Sequence, residues 1–126
     1  MVIDASALLA FWQREAGAEV VAKALEEEAF LSTVTYTEVV GKLVGAGEPA
    51  NQVEAKIGAL ALQILAFDEE QAQIAAFFYA RRKPYNLSFG DCAALALGEH
   101  LDMPVLTAEQ HWAKLPNLRV KIKLIR

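Results

Sequence analysis

Apolar residues along the chain follow two alternating patterns, short continuous runs and longer stretches with helical spacing. Short apolar runs bounded by turn residues predict buried strands; these are VIDA, AFLST, QILAF and PVLTA, with LRVKIKLI as an alternating final strand. Helical spacing predicts helices over ALLAFWQRE, GAEVVAKALEEE, TYTEVVGKLVGAG, PANQVEAKIGALAL, DEEQAQIAAFFYARRK, SFGDCAALALGEHL and, more briefly, EQHWAKL. Strands that alternate with helices predict an α/β fold with a parallel sheet covered on both faces.

Helix boundary signals support these elements. Ser6 is in position to cap the first helix, and Thr35-x-x-Glu38 has the spacing of a capping box for the third. The helix before Pro84 begins with acids and ends with bases, as the helix dipole favours, and we expect Pro84 to end it. The next helix is predicted to begin at Ser88.

Composition narrows the class of protein. The chain has 126 residues, 55% of them hydrophobic, and a net charge of −4, which predicts one domain spanning 1–126 with a single core. No run reaches the ~18 apolar residues of a membrane span, and the start lacks the features of a secretory signal. The single cysteine, Cys92, fits a reducing compartment. We therefore expect a cytoplasmic protein that is not bound to a membrane.

Asp4 is the first residue that the fold alone does not explain. It ends a strand that we expect to be buried on both faces, and burying an ionised carboxylate costs several kcal/mol unless a partner compensates it. Asp4 therefore needs a cation, a metal or hydrogen-bond donors nearby.

Three other acids are expected near the same edge of the sheet. Glu38 lies in the first turn of the helix after the second strand, Glu109 directly follows PVLT, and Asp91 lies in the first turn of the helix that precedes that strand. The carboxyl ends of parallel strands share one edge of the sheet, so acids placed there are expected to converge. These acids are Asp4, Glu38, Asp91 and Glu109. Carboxylates can cluster when divalent cations lie between them, and an all-oxygen ligand set favours Mg²⁺ or Mn²⁺ over zinc. Ser6 and Thr107 are close enough in sequence to hydrogen-bond a ligating carboxylate or a metal-bound water.

A structural interpretation competes with the metal site. Glu38, Asp91 and Glu109 each stand where a helix N-terminus favours an acid, and taken singly each is better explained as a cap. Asp4, in its buried strand, has no such explanation. The joint pattern of four acids is what favours a metal site.

The segments VIDASALLAF, TYTEVVGKL, LSFGDCAALALG and PVLTAEQHWAKL resemble, in order and spacing, the motifs of the PIN-domain ribonucleases, and the chain is similar to the VapC-type toxins of toxin–antitoxin pairs. The resemblance covers nearly the whole chain. It implies a three-layer sandwich whose sheet has the order 3-2-1-4-5, with an acidic metal site at its carboxyl edge.

The family's acidic motifs fall on the four acids already identified. The first motif falls on Asp4, the second on Glu38 and the third on Asp91. In the fourth, this chain has Glu109 where an aspartate is usual and His111 where a second aspartate often stands. His111 has two open interpretations, a replacement for that acid or a structural residue.

The expected chemistry is hydrolysis of an RNA phosphodiester by water. Metal ions deprotonate the water and stabilise the charge on the phosphate. Asp4 is the candidate for a shared metal ligand, Asp91 and Glu109 for the remaining ligands, and Glu38 for a ligand or for a residue that orients metal-bound water.

Basic residues near these acids are candidates for RNA binding. They are Arg14, Arg81, Arg82 and Lys83. Positive side chains hold phosphates, although bases at the end of a helix also complement its dipole.

The family also suggests partners, a cognate antitoxin protein and a second copy of the chain. The principal alternative is a non-catalytic PIN module that binds RNA or protein, which the four retained acidic positions disfavour. A phosphotransferase of the haloacid-dehalogenase type also begins with an aspartate after a buried strand, but it needs a second acid where this chain has Ser6. Flap-type nucleases need a longer chain with further acids.

Overall fold

The computed structural model describes residues 1–126 and contains five strands, seven α-helices and one 3-10 helix. The strands are β1 (Val2–Ile3), β2 (Ala29–Ser32), β3 (Leu62–Leu65), β4 (Val105–Thr107) and β5 (Ile122–Leu124). The α-helices are α1 (Ala5–Trp12), α2 (Ala18–Glu26), α3 (Thr33–Gly45), α4 (Ala50–Ala59), α5 (Glu69–Ala80), α6 (Arg82–Tyr85) and α7 (Phe89–Leu101). The 3-10 helix is Gln110–Lys114.

All five strands are parallel and lie in the order β3-β2-β1-β4-β5. The predicted order 3-2-1-4-5 is therefore confirmed. β1 lies at the centre, where Val2 is in register with Phe30 of β2 and with Val105 of β4. Because the strands run the same way, their carboxyl ends share one edge, and the chain leaves β1, β2 and β4 there.

Two hydrophobic cores lie on the two faces of the sheet, because successive residues of a strand point to opposite sides. One core contains Ile3, Leu31 and Leu106 with residues of α1 to α4. The other contains Val2, Phe30 and Val105 with residues of α5 and α7 and Trp112. The arrangement is the predicted three-layer sandwich.

Helix α7 is the most deeply buried helix, with every residue from 92 to 98 inside the core. It packs closely on β4, because a Cβ at Gly98 would collide with Cγ2 of Val105. This contact holds the C-terminal half of α7 against β4.

Several predicted boundaries are wrong. The final strand is only Ile122–Leu124, shorter than the alternating segment suggested. The helix predicted to run to Pro84 ends at Ala80, and Pro84 lies inside α6. Proline is tolerated there because the first turn of a helix has no internal partner for its N–H groups. No helix is both long enough and apolar enough to cross a membrane.

Candidate active site

Asp4 lies at the junction between β1 and α1 and is only 2% exposed. Its backbone N–H donates to the carbonyl of Leu106 (2.9 Å), which extends the pairing of β1 with β4. Its side chain accepts from the N–H of Ser6 (3.4 Å), so Asp4 is the N-cap of α1. The prediction that Ser6 caps this helix is wrong, and so is the expectation that Asp4 has no capping role.

Two hydroxyl groups hold the carboxylate of Asp4. Ser6 Oγ donates to Asp4 Oδ2 (2.7 Å), and Thr107 Oγ1 donates to the same oxygen (2.9 Å). Each hydroxyl also accepts from the backbone, Ser6 from Ala108 N–H (3.0 Å) and Thr107 from Glu109 N–H (3.0 Å). Since a hydroxyl has one proton to donate, both protons are committed to Asp4. Oδ2 thus receives every hydrogen bond, and Oδ1 receives none.

Burial and neighbouring acids raise the pKa of two carboxyl groups. Burial raises the pKa of Asp4 to about 6; the hydrogen bond from Ser6 opposes this, and the charge of Asp91 adds to it. Burial also raises the pKa of Asp91, opposed by its hydrogen bonds with Ser88 and increased by the charges of Glu109 and Glu38. Asp91 therefore lies within electrostatic range of each of the other three predicted acids, and links them into one group.

Glu38 lies beyond the first turn of α3, which begins at Thr33 and is capped by Ser32, whose Oγ accepts from Val34 N–H (3.1 Å). The predicted Thr35-x-x-Glu38 capping box is wrong, because the chain turns into the helix directly from β2. Glu38 therefore does not cap a helix, and the explanation of this acid as a capping residue is wrong.

The two oxygens of the Glu38 carboxylate have different neighbours. Oε2 pairs with Nζ of Lys42 (3.2 Å), one turn along the same helix. Oε1 lies over the backbone of Gly90, so close that a Cβ at Gly90 would collide with it. The glycine therefore provides the space in which Glu38 approaches α7 next to Asp91.

Asp91 forms the predicted capping box of α7. Asp91 Oδ2 accepts from Ser88 N–H (2.9 Å), and Ser88 Oγ accepts from Asp91 N–H (3.1 Å). As in Asp4, one carboxylate oxygen carries the structural hydrogen bond, and Oδ1 is not used.

Glu109 immediately precedes the 3-10 helix, and its side chain is 43% exposed. Its Oε2 lies 3.5 Å from Nδ1 of His111. The Nε2 atom of His111 is buried and has no hydrogen-bond partner. Glu109 is thus the least constrained of the four acids.

The donor chemistry of this group fits a hard divalent cation. The side chains offer carboxylate oxygens, which Mg²⁺ and Mn²⁺ prefer, and Asp4 and Asp91 each keep one oxygen free of hydrogen bonds within the chain. No three His, Cys, Asp or Glu side chains are already arranged to hold a metal ion. Carboxylates repel one another without a cation between them, so binding a cation here requires side-chain rotation.

The basic residues predicted to bind RNA lie in different places. Arg82 stacks on the ring of Tyr79, with its guanidinium carbon 4.0 Å from the ring centroid, and its charge acts on the thiol of Cys92, next to Asp91. Arg14 and Arg81 line two other grooves, neither of which is lined by any of the four acids. Lys83 lies in α6 and is exposed.

Cys92 is buried beside Asp91. Burial, with the charge of Asp91 second, raises the pKa of its thiol to about 11. Since the thiolate is the reactive form, Cys92 serves as a small core residue, as predicted.

Gly90 and Lys42 were missed in the sequence. The spacing of Glu38 and Lys42 on one helix face was a usable signal for their ion pair. Nothing in the sequence indicated that Gly90 would meet Glu38, because the two residues come from different helices.

A family model described as the PIN domain matches residues 1–118 of the chain. No curated protein matches it significantly.

Several solved structures have a similar fold. A toxin-antitoxin complex from Klebsiella pneumoniae aligns with a TM-score of 0.74 at 16% identity, over 99% of this chain and 97% of that chain. DNA-bound VapBC from Salmonella typhimurium aligns with a TM-score of 0.75 at 12% identity, over the same shares. VapBC-5 from Mycobacterium tuberculosis aligns with a TM-score of 0.65 at 19% identity, over 99% of this chain and 96% of that chain. At these identities, the similarity establishes the fold.

Proposed function

Because the chain belongs to the PIN-domain family, whose members are generally nucleases, we propose that it is a metal-dependent endoribonuclease. The observation that carries this proposal is the linked group of acids. Burial and the charge of Asp91 raise the pKa of Asp4 to about 6, and the charges of Glu109 and Glu38 raise that of Asp91. Mutual repulsion of this kind is destabilising by itself, and it marks a candidate functional site.

Each acid has a proposed role in this reaction. Asp4 Oδ1 and Asp91 Oδ1 are the candidate metal ligands, because Oδ2 of each residue is already committed to hydrogen bonds. Glu109 would complete the ligand set from the end of β4. Glu38 would bind the metal directly or orient a water molecule beside it. Ser6 and Thr107 fix the orientation of the Asp4 carboxylate.

A bound Mg²⁺ or Mn²⁺ supplies the Lewis acid that lowers the pKa of a water molecule and neutralises charge on the phosphate. The protein supplies a rigid edge on which the acids are held: Thr107 at the end of β4 donates to Asp4 at the end of β1, Ser6 accepts from the N–H of Ala108, and the start of α7 is fixed by its capping box. No nucleophilic side chain is needed, and Cys92 is not available as one.

We also propose that the protein is the toxin of a toxin–antitoxin pair in the cytoplasm, and that it forms a homodimer. Support comes from the fold, since the similar structures include a toxin-antitoxin complex from Klebsiella pneumoniae and VapBC-5 from Mycobacterium tuberculosis. The cognate antitoxin would neutralise the enzyme by covering the acids.

Cleavage mapping on total RNA tests the nuclease proposal. We expect strand cleavage with Mg²⁺ or Mn²⁺, none with chelator, and none from Asp4→Asn with either metal. Asp102→Asn is the matched control: Asp102 is exposed and has a φ of +53°, which asparagine also adopts readily. Cleavage by Asp4→Asn at the wild-type rate would refute the proposal.

The same experiment separates the proposal from a non-catalytic PIN module. Such a module would bind RNA or protein without cutting RNA under any metal condition, and Asp4→Asn would leave its binding unchanged.

A further inference from the structure

Three aromatic side chains form a surface beside the acids. The proposed hydrolysis does not use this surface. We call Phe67, Tyr79 and Phe89 the aromatic shelf. The ring of Phe89 lies between the other two, with centroid separations of 6.1 Å to Phe67 and 6.4 Å to Tyr79, both edge-on at 75°. The shelf lines an apolar groove of about 420 Å³ that reaches down to Ala75 and Cys92.

Phe89 is held in place yet accessible. Its side chain is 56% exposed, although a large apolar ring in water gives up the free energy of burial. The neighbouring rings restrict its rotamers, so it offers a fixed aromatic surface. An ordered, exposed ring is suited to a ligand that covers it on binding.

The aromatic shelf adjoins the acids through the first turn of α7. Phe89 is the first residue of this helix and Asp91 the third, so helix geometry places their Cα atoms about 5.4 Å apart, with the two side chains leaving the helix on different sides. The Oε1 atom of Glu38 lies on Gly90, directly between them. The Ser88–Asp91 capping box fixes this turn. The shelf and the acids therefore flank the same turn of α7 and are held in a fixed relation to each other.

Arg82 places a positive charge at the Tyr79 end of the aromatic shelf. Arg82 stacks on Tyr79 at 4.0 Å and is held there by a hydrogen bond from Nη1 to the Tyr79 carbonyl (2.9 Å). Arginine at this position attracts a phosphate, in contrast to the repulsive acids. The groove thus combines an apolar stacking surface with a positive edge.

We propose that the aromatic shelf binds one base of a single-stranded RNA, next to the nucleotide whose phosphate is cut. This inference rests on the proposed function and adds a substrate subsite to it. Proteins that hold single-stranded nucleic acid pair aromatic rings, which stack on bases, with basic residues that follow the backbone. Arg82 would hold the phosphate of the stacked nucleotide, and the metal-binding acids would act on its neighbour. Bases in a duplex are already stacked, so this subsite selects single strands.

The test is binding of a short fluorescein-labelled single-stranded RNA of mixed sequence, measured by anisotropy in Mg²⁺ with the Asp4→Asn protein, which leaves the probe intact. Adding Phe89→Ala is expected to weaken binding roughly 5- to 150-fold, the effect of losing one stacked base. Phe89→Trp is expected to retain binding. An RNA of the same length made of abasic nucleotides should bind both proteins equally weakly.

Phe77→Ala is the matched control. Phe77 is also a phenylalanine, is 71% exposed on α5 and does not line the groove, so its removal should leave RNA binding unchanged. Arg82→Gln should reduce affinity and lower the salt dependence by about one phosphate contact. Thermal melting of each variant verifies that the fold is retained.

Three outcomes would overturn the proposal. The first is unchanged affinity of Phe89→Ala for the single strand while the wild type still cleaves RNA, which would leave the nuclease proposal standing. The second is conversion of a dimer to a monomer by Phe89→Ala in sedimentation, which would make the shelf a contact between copies. The third is a wild type that neither binds nor cuts RNA, which would remove the proposed function as well.

Discussion

Replacing Gly90 with alanine tests whether the placement of Glu38 matters for catalysis. The new methyl group would occupy the space now filled by Oε1 of Glu38. The displaced atom is the end of a flexible side chain, so the backbone does not need to move. The substitution therefore acts on one carboxylate of the site and leaves the fold in place.

The size of the effect follows from the geometry. To restore an ordinary van der Waals contact, Oε1 of Glu38 must retreat from the new methyl group by roughly 1 Å. A displacement of ~1 Å in a positioned group can reduce the rate ~10²-fold, which is ~2.7 kcal/mol of transition-state stabilisation. Alanine is also favoured over glycine inside a helix by roughly 0.5–1 kcal/mol. Gly90→Ala should therefore lower kcat/KM while the melting temperature stays equal or rises.

The assay is cleavage of a fluorogenic RNA with Mn²⁺, together with thermal melting and calorimetric titration of Mn²⁺. Gly58→Ala is the matched control, because Gly58 lies within α4 and a Cβ there would meet nothing within 4 Å. It makes the same chemical change without disturbing an acid. Glu38→Asp in the Gly90→Ala background shortens the side chain by one methylene and should recover part of the lost activity.

Two results would refute this reasoning. Full activity of Gly90→Ala would show that the position of Glu38 is not critical. Loss of activity together with a fall of several degrees in melting temperature would indicate damage to α7. In that case the calorimetric titration would show weaker Mn²⁺ binding, and adding Glu38→Asp would not restore it.

Three further predictions concern the pKa of Asp4, the preferred metal ion and the oligomeric state. The raised pKa of Asp4, about 6 against 3.8, means that the folded protein binds this proton more tightly than the unfolded chain. The contribution of Asp4 to metal-free stability is therefore expected to fall by about 3 kcal/mol as pH rises from about 4 to about 6; denaturant melts in chelator measure this, and Asp4→Asn should remove this share of the dependence while that of Asp91 remains. Because Mg²⁺ demands stricter octahedral geometry than the loosely held Glu109 offers, Mn²⁺ should support faster cleavage, and Glu109→Asp should narrow the difference; equal rates with both metals would contradict this. Exposed aromatic residues on α5 predict a dimer, which sedimentation at micromolar concentration would contradict by finding monomer alone.

The general fold could be predicted because the strands and helices are separated by clear changes of hydrophobic period. Short apolar runs predict four of the strands and an alternating segment predicts the fifth, and the alternation with helices predicts the parallel sheet. The boundaries at β5 and α5 could not be predicted in the same way. Helix α5 ends at Ala80, although the residues that follow it favour a helix. The chain forms a separate short helix, α6, which contains Pro84, and then turns at Asn86, whose φ is +52°.

The buried position of Asp4 could also be predicted, together with two of its partners. A carboxylate in an apolar strand must be compensated, and Ser6 and Thr107 were the nearest available hydroxyls. The contact of Glu38 with Gly90 could not be predicted, because it depends on how closely α3 approaches α7. Helix spacing within one segment carries no information on that distance.

The sequence posed capping and metal binding as competing explanations for the acids, but the structure shows that a carboxylate has room for both. Asp4 caps α1 and Asp91 completes the Ser88 capping box of α7, each through Oδ2, and Oδ1 of each remains without a hydrogen bond. A cap requires only an acceptor oxygen, whereas a cation requires negative charge. Substitution by asparagine keeps the first property and removes the second. Asp4→Asn and Asp91→Asn should therefore preserve the helix starts and keep or raise the melting temperature in chelator at neutral pH, because each removes a charge that burial and neighbouring acids disfavour. Both should abolish metal binding, so that one pair of variants measures the two roles separately.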